Sequence, residues 1–178
     1  MQPVTYKDLN IVYEDNHIIV VIKPFNIPSQ GDNTGDADML TLIKQYLVEK
    51  YNKPGEAFVG LVHRLDRPTG GVMVFAKTSK AASRLSESIR EGDFEKKYLA
   101  VVCGSPVHKS GKLEHYLKKD ARTNIVVIAP FSEEGAKRAE LDYKVLDETQ
   151  GFSLVSINLI TGRSHQARVQ MASLGTPI

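Results

Sequence analysis

Five β-rich runs follow one another in the second half of the chain, and this succession constrains the fold more than any other feature. Only short turns separate the runs, so a meander of antiparallel strands is the simplest arrangement. In the last run, Val155, Ile157 and Leu159 alternate with polar residues, which predicts a strand with one buried face. The runs span Phe94–Cys103, Lys112–Lys118, Asn124–Ala129, Ala136–Leu146 and Phe152–Ile160.

Two further strands and three helices are predicted around these runs. Ile18–Ile22 and Gly71–Ala76 are apolar enough for buried strands, the second buried on both faces. Asp38 caps the first predicted helix, which stops before Pro54; Ser79 caps the second, and Gly92 ends it. The last helix follows Thr161-Gly162 and has Gly175 in its C-cap position. The apolar faces are Leu40, Ile43, Leu47 and Tyr51; Ala82, Leu85 and Ile89; and Ala167, Met171 and Leu174.

These elements predict an α+β fold: a mixed, mainly antiparallel sheet flanked by helices. The sequence contains no internal repeat, low-complexity tract or linker, so residues 1–178 are expected to form a single domain. No stretch is apolar enough to span a bilayer, and Cys103 has no other cysteine to pair with, which favours the reducing cytoplasm. Cys103 ends the apolar run Leu99–Val102 and is therefore expected to be buried. The net charge of +2 is too small to identify a nucleic-acid partner by itself.

The first run with candidate catalytic residues is His63-Arg64-Leu65-Asp66-Arg67-Pro68-Thr69-Gly70-Gly71. It lies between a strand-like Phe58–Val62 and the strand that starts at Gly71. Two neighbouring arginines favour the ionised form of Asp66, and Pro68 with the glycines favours a turn open to a ligand. A carboxylate held in this way can act as a nucleophile. The alternative is that Asp66 caps the turn or pairs with a neighbouring arginine for structural reasons.

The second run is Thr161-Gly162-Arg163-Ser164-His165-Gln166-Ala167-Arg168, at a strand-to-helix junction. Helical spacing places Arg168 at the border of the apolar stripe, where an arginine usually has a carboxylate partner. Arg163 and the first helical amides can bind a phosphate, with His165 and Gln166 as hydrogen-bonding supports. The alternative is an ordinary helix start with solvated charges.

The third run is Phe94-Glu95-Lys96-Lys97-Tyr98-Leu99-Ala100-Val101. On a strand, Lys96 and Tyr98 share one face. The ring can stack on a base while the lysines attract the nucleic-acid backbone. The alternative is that Tyr98 is an ordinary strand residue.

Together these runs resemble the RluA-type pseudouridine synthases, which act on ribosomal or transfer RNA. The resemblance extends from about Ile11 to the end of the chain. Besides the first and second runs, it includes Lys23-Pro24, Phe75-Ala76-Lys77-Thr78, Lys97-Tyr98-Leu99-Ala100 and Leu174-Gly175-Thr176-Pro177-Ile178.

The resemblance implies roles for individual residues. Asp66 matches the catalytic aspartate, Arg168 the basic residue that pairs with it, and Tyr98 the aromatic residue that packs against the target uracil. Arg64 matches a residue that holds RNA around the flipped nucleotide. The remaining residues expected to bind substrate are Arg67, Lys96, Arg163, His165 and Gln166. Asp66, Tyr98 and Arg168 are therefore expected to converge in one cleft.

The implied reaction isomerises uridine to pseudouridine. The base leaves the stack, detaches from C1′ through N1, rotates and rejoins through C5, with Asp66 acting at the glycosidic bond. Neither a metal nor a cofactor is expected. RNA is the expected partner, membranes are not, and the protein is expected to be a monomer.

Two features depart from the family pattern. Gly70 stands where the family usually has Ser, and a small effect is expected. The chain ends at Ile178, where the family continues with a Gly-Asp turn and further strands, so the resemblance implies that C-terminal strands are missing. It also implies that no N-terminal RNA-binding module is present.

Two other functions remain compatible with the sequence. The first is an RNA-binding or RNA-folding protein of the same fold without catalysis. The second is a nucleosidase or glycosidase. Such an enzyme also uses a carboxylate at the glycosidic bond, but it normally has a second catalytic carboxylate or a metal. A Ser-His-Asp hydrolase is disfavoured because no nucleophile-elbow motif accompanies His63.

Overall fold

The computed structural model describes residues 4–178. These residues form two compact units, which adjoin in sequence at Asp93 and Phe94. The single domain expected over residues 1–178 stays a prediction.

The first unit contains a four-stranded antiparallel sheet and two α-helices. The strand order is β1-β2-β4-β3, so β2 and β4 are the inner strands. The elements are β1 (Asn10–Glu14), β2 (Ile18–Lys23), α1 (Met39–Lys50), β3 (Gly60–Leu61), β4 (Gly71–Ala76) and α2 (Ser79–Glu91), preceded by a 3-10 turn at Tyr6–Asp8.

The largest fully buried side chains of the first unit come from its inner strands, β2 and β4, and from α1. Ile19 and Val21 on β2 and Met73 and Phe75 on β4 are fully buried. Because side chains alternate along a strand, Lys23 shares the face of Ile19 and Val21, and it is also fully buried. The end of β2 thus carries a charged group into the protein interior.

The second unit contains a five-stranded antiparallel sheet and one helix. The strand order is β5-β9-β8-β6-β7, with β5 and β7 at the edges. The core combines residues of β5, β8 and β9 with Met171 of the helix. The elements are β5 (Lys97–Cys103), β6 (Ser110–Lys119), β7 (Val126–Ile128), β8 (Lys137–Thr149), β9 (Phe152–Leu159) and α3 (Gln166–Ala172).

A buried glutamine ties α3 to the sheet. The Gln170 side chain is fully buried, and its amide donates to the carbonyl oxygens of Leu113 on β6, at 3.1 Å, and Ala139 on β8, at 3.2 Å. Since a buried hydrogen bond is costly to break, these contacts fix the helix over two neighbouring strands.

The predicted α+β class and the mainly antiparallel pairing are confirmed, although the strands of residues 4–178 lie in two sheets rather than one. Asp38 caps α1 by accepting from the amide of Thr41, and Gly92 ends α2 with a left-handed φ of 91°. No helix in the described part of the chain is both long and apolar enough to cross a bilayer.

Several predicted helix details were wrong. The cap of α2 is Thr78 rather than Ser79, because the Thr78 hydroxyl accepts from the amide of Ala81 and Ser79 is already helical. The predicted apolar face of α1 included Tyr51, which is exposed and lies beyond the helix end. It omitted Met39 and Leu42, which are buried.

The C-terminal helix and two strands also differ from the predicted patterns. Helix α3 ends at Ala172, so Gly175 lies beyond its C-cap, with a φ of 76°. The predicted strand Phe58–Val62 is reduced to Gly60–Leu61, and Val72 exposes one position of the strand predicted to be buried on both faces.

Cys103 is exposed, which corrects the prediction of a buried thiol. The apolar run that it ends belongs to an edge strand with only one buried face. Leu99, Val101 and Cys103 alternate onto the exposed face, whereas Val102 is fully buried. The apolar composition of the run therefore did not indicate two buried faces.

Candidate active site

Asp66 lies in the tight connection between β3 and β4. Its carbonyl oxygen accepts from the amide of Thr69 at 2.9 Å, which closes a turn over Asp66–Thr69. Asp66 itself is half-buried, and Leu65 before it is 8% exposed. The turn thus keeps the carboxylate near the surface while its preceding neighbour anchors in the interior.

Ser29 fixes the backbone immediately before Asp66. Its hydroxyl donates to the carbonyl oxygen of Leu65 at 2.7 Å and accepts from the amide of Leu65 at 3.1 Å. Ser29 is 5% exposed and lies 36 residues earlier in the chain. Both polar backbone groups of Leu65 are therefore satisfied by one buried side chain, which restricts the start of the turn.

Lys23 fixes the backbone immediately after Asp66. Its ammonium donates to the carbonyl oxygens of Pro24 at 3.0 Å, Ile27 at 2.6 Å and Arg67 at 3.1 Å, which uses all three of its donors. Burial lowers the pKa of Lys23, the charge of Asp66 counteracts this and that of Arg67 adds to it, giving about 8. Lys23 is mostly protonated at neutral pH and places a buried positive charge within electrostatic range of Asp66.

Arg67 joins the turn to the loop before α1. Its guanidinium pairs with Asp36, lies 3.6 Å from a carboxylate oxygen of Asp32, and donates to the hydroxyl of Thr34 at 3.2 Å. The hydrogen bond from Arg67 lowers the pKa of Asp36. These contacts make Arg67 a brace for the turn, and its predicted role in substrate binding stays a prediction.

Two other residues of the first run differ in exposure. Arg64 is exposed, whereas His63 is half-buried, and its Nε2 accepts from the amide of Val74 at 3.1 Å. Burial lowers the pKa of His63, which favours the neutral ring, and a neutral ring whose Nε2 accepts a hydrogen bond carries its proton on Nδ1. In the described residues, no group of three or more His, Cys, Asp or Glu side chains is arranged to hold a metal ion.

Gly70 lies directly under the exposed ring of Phe25. A Cβ atom at position 70 would lie 3.2 Å from two ring carbons, which is tighter than ordinary contact. Phe25 is 71% exposed, so the ring has room to move. The glycine that departs from the family pattern thus allows an aromatic ring to lie close to the Asp66 turn.

In the second unit, Tyr98 lies on β5 opposite Ile157 of β9 and packs against the core cluster of that unit. Lys96 comes just before the strand, and its ammonium donates to the carbonyl oxygen of Phe94 at 3.2 Å. Both residues are half-buried, whereas Lys97 between them is exposed. The alternation predicted for Lys96 and Tyr98 is therefore confirmed.

Gln166 organises the junction between β9 and α3. The side chain is 2% exposed. Its oxygen accepts from the hydroxyl of Thr161 at 2.8 Å and from the amide of Arg163 at 3.0 Å, and its amide donates to the carbonyl oxygen of Glu140 at 2.9 Å. These bonds make Gln166 a support for the loop, as the sequence predicted, while its contact with substrate stays a prediction.

The other residues of this junction are more accessible. Arg163 is exposed, and its Nε donates to the carbonyl oxygen of Arg138 at 2.9 Å. His165 is half-buried, precedes α3 and has a left-handed φ of 52°, which is uncommon for a residue other than glycine. Arg168 is exposed on α3. Arg163 and Arg168 are therefore accessible to a ligand.

The predicted site residues fall into two groups. Arg64, Asp66 and Arg67 lie on one turn of the first unit. Those of the second unit lie at the start of β5, in the loop before α3 and on the first residues of α3; they are Lys96, Tyr98, Arg163, His165, Gln166 and Arg168. The convergence of Asp66, Tyr98 and Arg168 stays a prediction.

Lys23 and Ser29 hold the turn and were missed as contributors to the site. The strand pattern contained a signal for Lys23, since it continues the buried positions Ile19 and Val21 with period two. No comparable signal marked Ser29, because its contact with Leu65 depends on how a distant loop folds back.

Comparison with known proteins identifies the family. Residues 17–173 match the sequence profile of the RNA pseudouridylate synthases. The chain belongs to this family. The matched region contains the Asp66 turn, β5 and the junction before α3, and the predicted resemblance is confirmed.

Individual relatives agree with this assignment. The chain is 33% identical over 173 residues to the ribosomal large subunit pseudouridine synthase D of Xanthomonas campestris, covering 96% of this chain and 50% of the relative. It is 34% identical over 169 residues to the synthase C of Rickettsia bellii, covering 94% and 54%. The chain thus spans about half the length of these curated relatives.

A solved structure supports the fold independently. The human RNA pseudouridylate synthase domain containing 4 matches with a TM-score of 0.80 and 26% identity. The match covers 95% of this chain and 66% of the human one. The family assignment therefore rests on both sequence and structure.

Proposed function

We propose that the chain catalyses the isomerisation of uridine to pseudouridine in RNA. The observation that carries this proposal is the family match over residues 17–173, which includes the complete Asp66 turn. The hydrogen bonds from Ser29 and Lys23 on either side of Asp66 support it, since a reacting carboxylate must be held in a fixed position.

In the proposed reaction, Asp66 acts at the glycosidic bond. The bond between C1′ and N1 breaks, and the carboxylate traps or stabilises the positive character that develops at the sugar. The uracil rotates, C5 bonds to C1′, C5 loses its proton and N1 gains one, so no atom is added or lost. The uridine must first leave the base stack for the carboxylate to reach it.

The other site residues have proposed roles in holding the RNA. Tyr98 packs against the target uracil, and Arg168 pairs with Asp66. Arg64 holds RNA around the flipped nucleotide. Contacts to the substrate are also assigned to Arg67, Lys96, Arg163, His165 and Gln166. If Asp66 and Arg168 act together, the substitutions Asp66→Asn and Arg168→Ala are not additive in their effect on kcat.

The proposed activity is tested by incubating ribosomal large-subunit RNA with the protein. Pseudouridine is detected by selective cyanoethylation and mass spectrometry. The wild-type chain and Asp142→Asn, an exposed carboxylate on β8, are expected to give the same product. Asp66→Asn is expected to give none above background.

The assay also separates the alternative functions. Equal product from wild type and Asp66→Asn would overturn the role of Asp66. RNA binding without pseudouridine from any variant would indicate an RNA-binding or RNA-folding protein. Free uracil among the products would indicate a glycosidase that cleaves the bond without reattaching the base.

We further propose ribosomal or transfer RNA as substrate, a monomeric state and a cytoplasmic location. The names of the bacterial relatives, which refer to the large ribosomal subunit, favour ribosomal RNA. A single cysteine suits a reducing compartment. Mapping of pseudouridines in a deletion strain, light scattering of the purified protein and imaging of a tagged copy test these three points.

A further inference from the structure

A cavity of about 310 Å³ lies in the second unit, where β6 and β8 meet the loop after β9. Three of its lining residues are cationic: Lys119, Lys137 and Arg163. The rest of the lining is apolar, small or neutral and consists of Leu117, Val126, Gly135, Gly162 and Ser164. The cavity therefore presents positive charges with no carboxylate in its wall.

Strand register brings the two lysines to this place. Leu117 on β6 faces Lys137 on β8, and Lys119 faces Val126 on β7. Both lysines thus come from the same end of neighbouring strands. Arg163 comes from a different segment, so three separate parts of the chain supply the charges.

The neighbouring cations are neutralised, which distinguishes them from those of the cavity. Lys118 lies 2.7 Å from a carboxylate oxygen of Glu133, and Arg138 pairs with Glu114 at 2.8 Å. Among the ion pairs of the described residues, none includes Lys119, Lys137 or Arg163.

Arg163 is held in place at the edge of this cavity. Its amide donates to the buried side chain of Gln166 at 3.0 Å, and its Nε donates to the carbonyl oxygen of Arg138 at 2.9 Å. The remaining guanidinium donors can still bind a ligand, because an arginine carries five N–H groups. A positioned arginine loses less conformational entropy on binding than a mobile one.

The net charge of the second unit is compatible with an anionic ligand. Residues 94–178 contain 12 Lys and Arg against 9 Asp and Glu, whereas the entire chain has a net charge of only +2. The positive excess is therefore concentrated in the second unit.

We propose that this cavity binds a phosphate group of the RNA backbone, as a subsite that positions the substrate without reading its sequence. The inference rests on the proposed function, because that function makes RNA the ligand. Arginine and lysine together supply charge-assisted hydrogen bonds to phosphate oxygens. Contacts of this kind fix the register of a nucleic acid on a protein.

The experiment compares two double variants that each remove two positive charges. Lys119→Gln with Lys137→Gln alters the cavity. Lys109→Gln with Lys144→Gln is the matched control: Ser110 faces Lys144, which places this pair where the pairing of β6 with β8 begins, at the end opposite to Leu117 and Lys137. Thermal melting and circular dichroism check that both variants fold.

Binding of a 20-nucleotide uridine-rich RNA is measured for each protein by fluorescence anisotropy at several salt concentrations. The cavity variant is expected to bind about tenfold more weakly, with a salt slope reduced by about 0.7 for one lost phosphate contact on a single strand. The control is expected to retain most of the affinity and slope. Equal losses in the two variants would overturn the proposal, because binding would then depend on overall charge alone.

Nuclear magnetic resonance of the ¹⁵N-labelled chain gives a local readout. The amide signals of Gly135 and Gly162, which line the cavity, are expected to shift when the RNA is added, and to shift less in the cavity variant. Unshifted signals would refute the site. Inorganic phosphate serves as a second probe, and binding as tight as that of RNA would identify a free anion site instead.

This outcome is separable from that of the proposed function. RNA that shifts the cavity signals but acquires no pseudouridine would leave the subsite intact and refute the catalytic proposal. Pseudouridine formed at the same KM by wild type and the cavity variant would refute the subsite and leave catalysis intact.

Discussion

The buried ammonium of Lys23 donates a hydrogen bond of 3.1 Å to the carbonyl oxygen of Arg67, the residue that follows Asp66. Lys23 is the last residue of β2, so the inner sheet strand holds the turn directly. The same ammonium binds the carbonyl oxygens of Pro24 and Ile27. One buried charge thus joins two loops at the position where the proposed reaction takes place.

Lys23→Met is expected to reduce the rate of pseudouridine formation. The apolar side chain fills a similar volume but leaves three carbonyl oxygens without their donor, which displaces the Asp66 turn. A small misplacement of a catalytic group can lower kcat roughly 10- to 100-fold. The kcat of Lys53→Met, which changes an exposed lysine, is the control and should equal that of wild type. Unchanged kcat in Lys23→Met would contradict the role of Lys23 in holding the Asp66 turn.

The titration of Lys23 gives a second test with a definite sign. Its pKa is about 8 in the folded protein, against 10.5 for an ordinary lysine, so the unfolded chain binds more protons between these values. The free energy of unfolding of wild type relative to Lys23→Met should therefore rise with pH in that range. Activity should fall above pH 8, because a neutral amine has only two N–H donors for three carbonyl oxygens. Urea denaturation and kcat measured from pH 7 to 10 check both trends.

Glu14→Gln is expected to destabilise the first unit at neutral pH. Burial alone raises the pKa of Glu14, but hydrogen bonds from Lys50, Lys77, Tyr51 and Tyr46 outweigh it and lower the pKa to about 2. The ionised form of Glu14 therefore stabilises the folded protein by on the order of 3 kcal/mol. This contribution to the free energy of unfolding is present above pH 4.5 and is lost as the pH falls towards 2.

Urea denaturation at several pH values tests the Glu14 prediction. The difference in unfolding free energy between wild type and Glu14→Gln should narrow steadily below pH 4.5. Glu56→Gln serves as the control, because the Glu56 side chain is 91% exposed and lies 3.8 Å from Lys44. If the difference in unfolding free energy between wild type and Glu14→Gln did not depend on pH, the hydrogen bonds to Glu14 would not stabilise its ionised form.

Serine substitutions at Gly70 and Gly60 should destabilise the protein to different extents. A Cβ at Gly70 would lie 3.2 Å from the exposed Phe25 ring, which can move aside at little cost. A Cβ at Gly60 would lie 2.9 Å from the Cβ of Ala82 and 3.3 Å from that of Ala76, neither of which has a flexible end. Thermal melting should show that Gly60→Ser lowers the free energy of unfolding by about 1–3 kcal/mol. The decrease for Gly70→Ser should be much smaller. Similar losses would mean that the Phe25 ring cannot move aside.

Gln166→Leu is expected to raise KM for RNA more than it lowers kcat. The leucine leaves the amide of Arg163 without its acceptor and loosens the loop that carries this arginine. Loss of the buried hydrogen bonds should also cost about 1–3 kcal/mol of stability. Gln45→Leu, at an exposed position of α1, is the control for the substitution itself. A fall in kcat at constant KM would place Gln166 in the chemical step instead.

Local patterns predicted most of the elements because their causes are local. The caps at Asp38 and Gly92 follow from side-chain chemistry and from the left-handed conformation that glycine allows. The alternation of Val155 and Ile157 predicted the buried face of β9 for the same reason. Thr78 and Ser79 are both good caps, so sequence alone placed the start of α2 one residue late.

Contacts between distant segments could not be predicted in this way. The environment of Cys103 depends on β5 being an edge strand, and the cavity at Lys119 and Lys137 depends on the register of β6 with β8. The same limit applies to Ser29, whose partner lies 36 residues away. The identity of Asp66 as the candidate carboxylate came from family resemblance, because its local chemistry also suited a structural turn.

The exposed thiol of Cys103 provides a natural attachment point for a spectroscopic probe. It is the sole cysteine of the chain, so a maleimide dye or spin label would attach at one position without any engineered substitution. It lies on β5 five residues from Tyr98, about 17 Å along the strand, and on the opposite face. A label there reports the binding of RNA near Tyr98 through a change in fluorescence or in a measured distance. It leaves Tyr98, which is proposed to pack against the target uracil, chemically unmodified.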